Sequence, residues 1–152
     1  MTKRLILNVL LFATVLIPVA AQETKSESNQ FTTVKELPIT GIRDQANSGT
    51  CWSYSAIGFI EAEMLRVGKP ETDLSDMFPV NMSYRDKADK YIRMHGLLNF
   101  AQGGSFYDVL YVLKHYGIVP EEVMTGLNYG TKKNAHSEME AVSKAFLEQV
   151  VK

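Results

Sequence analysis

A chain of 152 residues, 45% hydrophobic and 22% charged, has the composition of a globular protein and room for one domain around one core. Its 16 basic and 17 acidic residues nearly balance, and no lysine or arginine cluster of the kind that gives salt-dependent phosphate binding is present. The expectation is no nucleic-acid partner.

The N-terminus reads as a secretory signal over residues 1–21. Lys3 and Arg4 make a basic start, Leu5 to Val19 is an apolar run interrupted at Asn8, and Val19-Ala20-Ala21 offers small residues for cleavage before Gln22. An uncleaved membrane anchor is the alternative, but the run falls short of the ~20 residues that span a bilayer. The expectation is an exported protein, periplasmic or extracellular, with no stable membrane insertion after the signal is removed. Taking Lys3 and Arg4 from the basic count leaves 14 against 17 acidic residues, a net charge of −3.

Residues 22–36 are polar with almost nothing to bury, and read as a flexible leader. The folded part is expected over 37–152. From Pro38 to Thr50 the chain carries Pro, Gly, Asn and Ser without helical period, which predicts extended and turn structure feeding a helix. That helix is expected from Cys51 to Val67, stopped by Gly68 and Pro70. Its first ten residues carry no charge, whereas Glu61, Glu63 and Arg66 follow, so its N-terminal half should enter the core.

A second helix is expected from Asp76 to about His95, capped by Ser75 and ended by Gly96, with Pro79 in its first turns. Asn99-Phe100-Ala101-Gln102-Gly103-Gly104 follows as a loop whose glycines suggest close approach by another backbone. A third helix, Ser105 to Tyr116, places Phe106, Val109, Leu110 and Leu113 on one face and closes at Gly117. Tyr107, Tyr111 and Tyr116 read as packing on that helix. A fourth, from about Ala135 to Val151, is amphipathic and carries Met139, Val142, Ala145, Phe146 and Gln149. No strand-rich region and no internal repeat is visible.

Cys51 is the single cysteine. An unpaired thiol in an oxidising compartment is either a buried hydrophobe or a group kept for its chemistry, and the neighbours of Cys51 favour the second. A thiolate, not a thiol, attacks a carbonyl, and the free N–H groups and macrodipole at a helix start favour an anion there. Attack creates an oxyanion that must meet donors already in position. The backbone N–H of Cys51 can be one, and the neutral amide of Gln45, across the Ser48-Gly49-Thr50 turn, can be the other. Trp52 beside the thiol could shield it from water or simply pack in the core.

The segment Gln45-Ala46-Asn47-Ser48-Gly49-Thr50-Cys51-Trp52-Ser53-Tyr54-Ser55-Ala56 resembles the active-site segment of papain-like cysteine peptidases, where glutamine, glycine, nucleophilic cysteine and tryptophan occupy these relative places. Thr40-Gly41-Ile42-Arg43-Asp44 is similar to that family's lead-in, and Leu74-Ser75-Asp76 to the start of its second helix. Gly103-Gly104 falls where its glycine pair lines the substrate cleft. The resemblance implies an α+β papain-like fold, of which this chain carries mainly the helical N-terminal lobe. It also implies Cys51 as nucleophile, Gln45 as oxyanion donor, Gly103 and Gly104 as contacts to a peptide substrate, and neither metal nor cofactor.

Ser48 stands where the best-known form of the family has a disulfide cysteine. With the short leader and a helical extension after Gly117-Ile118-Val119-Pro120, the chain is closer to the bleomycin hydrolase and aminopeptidase C branch. That branch implies removal of residues from peptide N-termini and a homo-oligomer, often a hexamer, of the full-length protein. Its usual members are intracellular, which the signal departs from. In papain-like enzymes the histidine and asparagine follow the cysteine by about 130 to 150 residues, and this chain extends 101 residues past Cys51. His95, His115 and His136 read as surface or capping residues at helix ends. The expectation is therefore a chain that stops before the second, strand-rich lobe and hydrolyses little by itself. Two rivals remain. A non-catalytic binding or regulatory remnant of the lobe would have no need to keep both Gln45 and Cys51. A thiol redox protein would lack a second cysteine to resolve its disulfide.

Overall fold

The computed structural model describes residues 31–128 and 130–152; the signal reading over 1–21 and the start of the leader lie outside the described residues. Lys35–Lys152 is one compact unit. Among the described residues it holds four helices: α1 (Cys51–Arg66), α2 (Met77–Arg93), α3 (Phe106–Tyr116) and α4 (Ser137–Val150). Sheet pairing among them is limited to two isolated bridges, Asn47 to Ala135 in parallel and Leu74 to Pro120 antiparallel.

The helix boundaries follow local chemistry. Val67 caps α1 and Gly68 turns away at φ +79. The hydroxyl of Ser75 accepts the N–H of Phe78 at 2.9 Å, one residue ahead of the Asp76 cap position. Pro79 sits in the first turn of α2, where a missing N–H costs no intrahelical bond. Ser105 and Asp108 form a reciprocal capping box at the start of α3, and Gly117 ends that helix at φ +82.

α3 packs against both α1 and α2, and α4 reaches α2. One core cluster joins Trp52, Ala56 and Ile57 of α1 to Leu74, Met77, Val80 and Val109. A smaller one joins Tyr91, Phe100 and Leu147, so α4 is held by its own far end.

Three expectations about burial are corrected. α1 is not buried all round at its N-terminal half: Trp52, Ser53, Ala56, Ile57 and Glu61 line the buried side, while Cys51, Ser55 and Phe59, spaced four apart, are exposed. On α3 the buried residues are Val109 and Val112, whereas Phe106, Leu110, Tyr107 and Tyr116 are exposed. On α4 only Leu147 is buried, and the apolar stripe Met139, Val142 and Phe146 faces outward.

Candidate active site

The segment leading to α1 is fixed first by Arg43. Its Nη1 donates to the backbone oxygen of Leu74 at 2.9 Å and to Asp76 Oδ2 at 2.7 Å. Its Nη2 donates to Glu61 Oε1 at 3.1 Å and to Asp73. Glu61, read from sequence as part of the charged end of α1, is 3% exposed, and it accepts from Thr40 Oγ1 at 2.6 Å and from the Leu74 N–H at 2.7 Å. One guanidinium therefore ties the lead-in to α1 and to the start of α2.

Gln45 lies two residues on. Its Nε2 donates to the backbone oxygen of Ser48 at 2.7 Å, and its own backbone oxygen accepts from Ser48 Oγ at 2.7 Å. A primary amide carries two donor hydrogens, so this loop bond leaves one for another acceptor. Ser48 Oγ also pairs with Thr50 Oγ1 at 2.6 Å in the buried floor of the turn. Ala46 takes a left-handed φ of +52, with its N–H bonded to Asp44 Oδ1 at 2.8 Å.

Cys51 is the first residue of α1, and its free thiol is exposed. It is flanked by Thr50, fully buried, and Trp52, 7% exposed, so the backbone that carries it is anchored on both sides. The arrangement leaves an accessible sulfur at the positive end of a helix, beside backbone N–H groups that have no intrahelical acceptor. Among the described residues no side-chain hydrogen bond reaches this thiol from a histidine. His95 sits at φ +52 just beyond α2, His115 stacks on Tyr111 at 4.2 Å, and His136 precedes α4. Burial pushes the His136 imidazole below its ordinary value.

Gly103 and Gly104 are brought to the same end of α1. A Cβ on Gly104 would stand 2.5 Å from Trp52 Cε2, so the close approach expected of the pair is made by a side chain rather than a backbone. A Cβ on Gly103 would meet nothing within 4 Å. Gln102, which the sequence did not single out, connects this loop to the turn before the cysteine. Its Oε1 accepts the Gly49 N–H at 2.7 Å and its backbone oxygen accepts the Trp52 indole N–H at 3.0 Å. A Cβ on Gly49 would lie 2.9 Å from Gln102 Cβ, which explains a glycine before Thr50. Lys87 of α2 donates to the backbone oxygens of Ala101, at 3.1 Å, and of Gly103, with its Nζ 5.7 Å from the Trp52 ring centroid.

A family model described as papain family cysteine protease matches residues 26–150, which covers every residue of this site.

Proposed function

This chain belongs to the papain family of cysteine proteases, and we propose that Cys51 is the nucleophile of its thiol-dependent peptidase chemistry. The observation that carries the assignment is the exposed sulfur on the first residue of α1, between two buried neighbours and beside the Gln45 turn. The Cys51 thiolate attacks the scissile carbonyl carbon, a C–S bond forms, and the carbonyl π electrons move to oxygen. The Cys51 N–H and the second Gln45 hydrogen meet that oxyanion. Its collapse breaks the C–N bond and expels the amine, which takes a proton from an imidazole acid. Water then cleaves the acyl-enzyme and restores the thiol.

Gly103 and Gly104 form the edge along which substrate backbone lies, a role supported by the open space at Gly103. Action on peptide N-termini, in the manner of bleomycin hydrolase and aminopeptidase C, is supported by Ser48 in place of a disulfide cysteine. In an α+β papain-like fold that imidazole would be carried on a strand-rich lobe. Export is supported by residues 1–21, and a mature protein beginning at Gln22 by mass spectrometry is the expected product.

Titration of the protein, expressed from its whole reading frame, with an epoxysuccinyl peptide, which alkylates papain-like thiols, tests the assignment. Stoichiometric labelling at Cys51, faster than a model thiol and lost in Cys51→Ser, is expected. Labelling no faster than the model thiol would overturn the nucleophile and leave a binding lobe. In the 152-residue chain, hydrolysis of an aminoacyl fluorogenic substrate is expected to be slight, and robust turnover abolished by Cys51→Ala would show that the histidine partner is already present.

A further inference from the structure

The start of α4 is tied to the cysteine turn at two points. The Asn47 N–H donates to the Asn134 backbone oxygen at 3.0 Å, and the His136 N–H donates to the Asn47 oxygen at 3.2 Å. One turn into α4, Glu140 Oε2 accepts the Gln102 N–H at 3.0 Å. Gln102 in turn holds Gly49 through Oε1 and Trp52 through its backbone oxygen. Its N–H, its carbonyl and its side-chain oxygen are thus all engaged, each by a different part of the chain. Lys87 grips the same loop from the opposite element, taking the carbonyls on either side of Gln102. The loop is held between a carboxylate on its N–H and an ammonium on its carbonyls, the stronger class of hydrogen bond.

We propose that Glu140 is a positioning residue of the active site, acting through Gln102 to fix both the Gly49 turn before Cys51 and the Gly103–Gly104 edge. The inference rests on Cys51 as nucleophile for its active-site meaning, and on hydrogen bonding alone for the linkage. Glu140 does not touch substrate. It sets how well a peptide backbone is received beside the thiol, while leaving the thiol itself accessible.

The test compares the wild-type protein, expressed from its whole reading frame, with Glu140→Ala and Glu140→Gln by amide hydrogen exchange and by two alkylating reagents. In Glu140→Ala, exchange in peptides spanning 99–104 and 46–50 is expected to rise about tenfold, the loss of one charge-assisted hydrogen bond, with peptides from α2 unchanged. Labelling by the epoxysuccinyl peptide should fall by a similar factor, through weaker binding. Iodoacetamide, which needs only an exposed thiol, should react at the wild-type rate. Glu140→Gln keeps an oxygen acceptor and should restore most of both. Unchanged exchange at 99–104, a rise spread over α2 as well, or a Gln variant no better than Ala would each overturn the proposal. Wild-type labelling no faster than a model thiol would overturn the nucleophile and the active-site role together. The exchange result would then show separately whether the Glu140 to Gln102 linkage holds.

Discussion

Gly104 packs so closely on the indole of Trp52 that a Cβ at residue 104 would lie within 2.9 Å of three ring atoms. The ring cannot move aside freely, because its N–H is bonded to the Gln102 oxygen at 3.0 Å and its body is in the core. Gly104→Ala is therefore expected to destabilise the chain by about 1–3 kcal/mol, the usual cost of overpacking. Gly103→Ala, with nothing within 4 Å of the added carbon, should leave the urea midpoint within experimental scatter. Equal midpoints for the two variants would show that the ring contact is not what requires a glycine at 104.

Much of this region was legible because it is local. Gly68 after α1, Ser75 before α2 and Gly117 after α3 each mark a boundary within a few residues of where it falls. Cys51, Gln45 and the glycine pair were likewise singled out as candidates from short-range patterns. Glu140 and Lys87 carried no such signal: each meets Gln102 or its neighbours only after the helices have packed, and an acid or lysine on an amphipathic helix reads as solvated. Glu61 misled for the same reason, since its burial is made tolerable by partners distant in sequence: Arg43, Thr40 and the Leu74 N–H. The outward stripe of α4 was periodic enough to predict a helix, but periodicity does not say which face meets α2, and the face carrying Leu147 does.

The Arg43 hub makes the second prediction. Glu61 and Asp76 have side chains 2% and 6% exposed, and both are paired with the same guanidinium. Arg43→Met would leave two buried carboxylates without a cation, a change that costs about 3–5 kcal/mol when one partner of a buried pair is removed. Arg43→Lys keeps the charge but cannot span Leu74, Asp76 and Glu61 with one planar fork, and should fall between the two. Urea denaturation of the three proteins checks the order. A Met variant within about 1 kcal/mol of wild type would mean that water already compensates these acids.

The same hub sets a pH dependence whose sign is opposite to that of an ordinary salt-bridged acid. Burial pushes the Asp76 carboxyl up to about 6; Arg43 opposes this, while Glu61 and Asp73 add to it. In the unfolded chain the same group titrates near an ordinary value of about 3.9. Between those two values the folded protein binds the extra proton, so the contribution of Asp76 to stability is fully present below about pH 4 and is lost as pH rises to about 6. Glu121, also raised by burial, acts in the same direction. Asp76→Asn removes the titrating group, so the thermal midpoint of the variant should change less than that of wild type between pH 4.5 and 7. Carbon-detected NMR of the Asp76 carboxyl should give a midpoint near 6, and one at or below about 4 would mean that the attraction of Arg43 outweighs burial at this position.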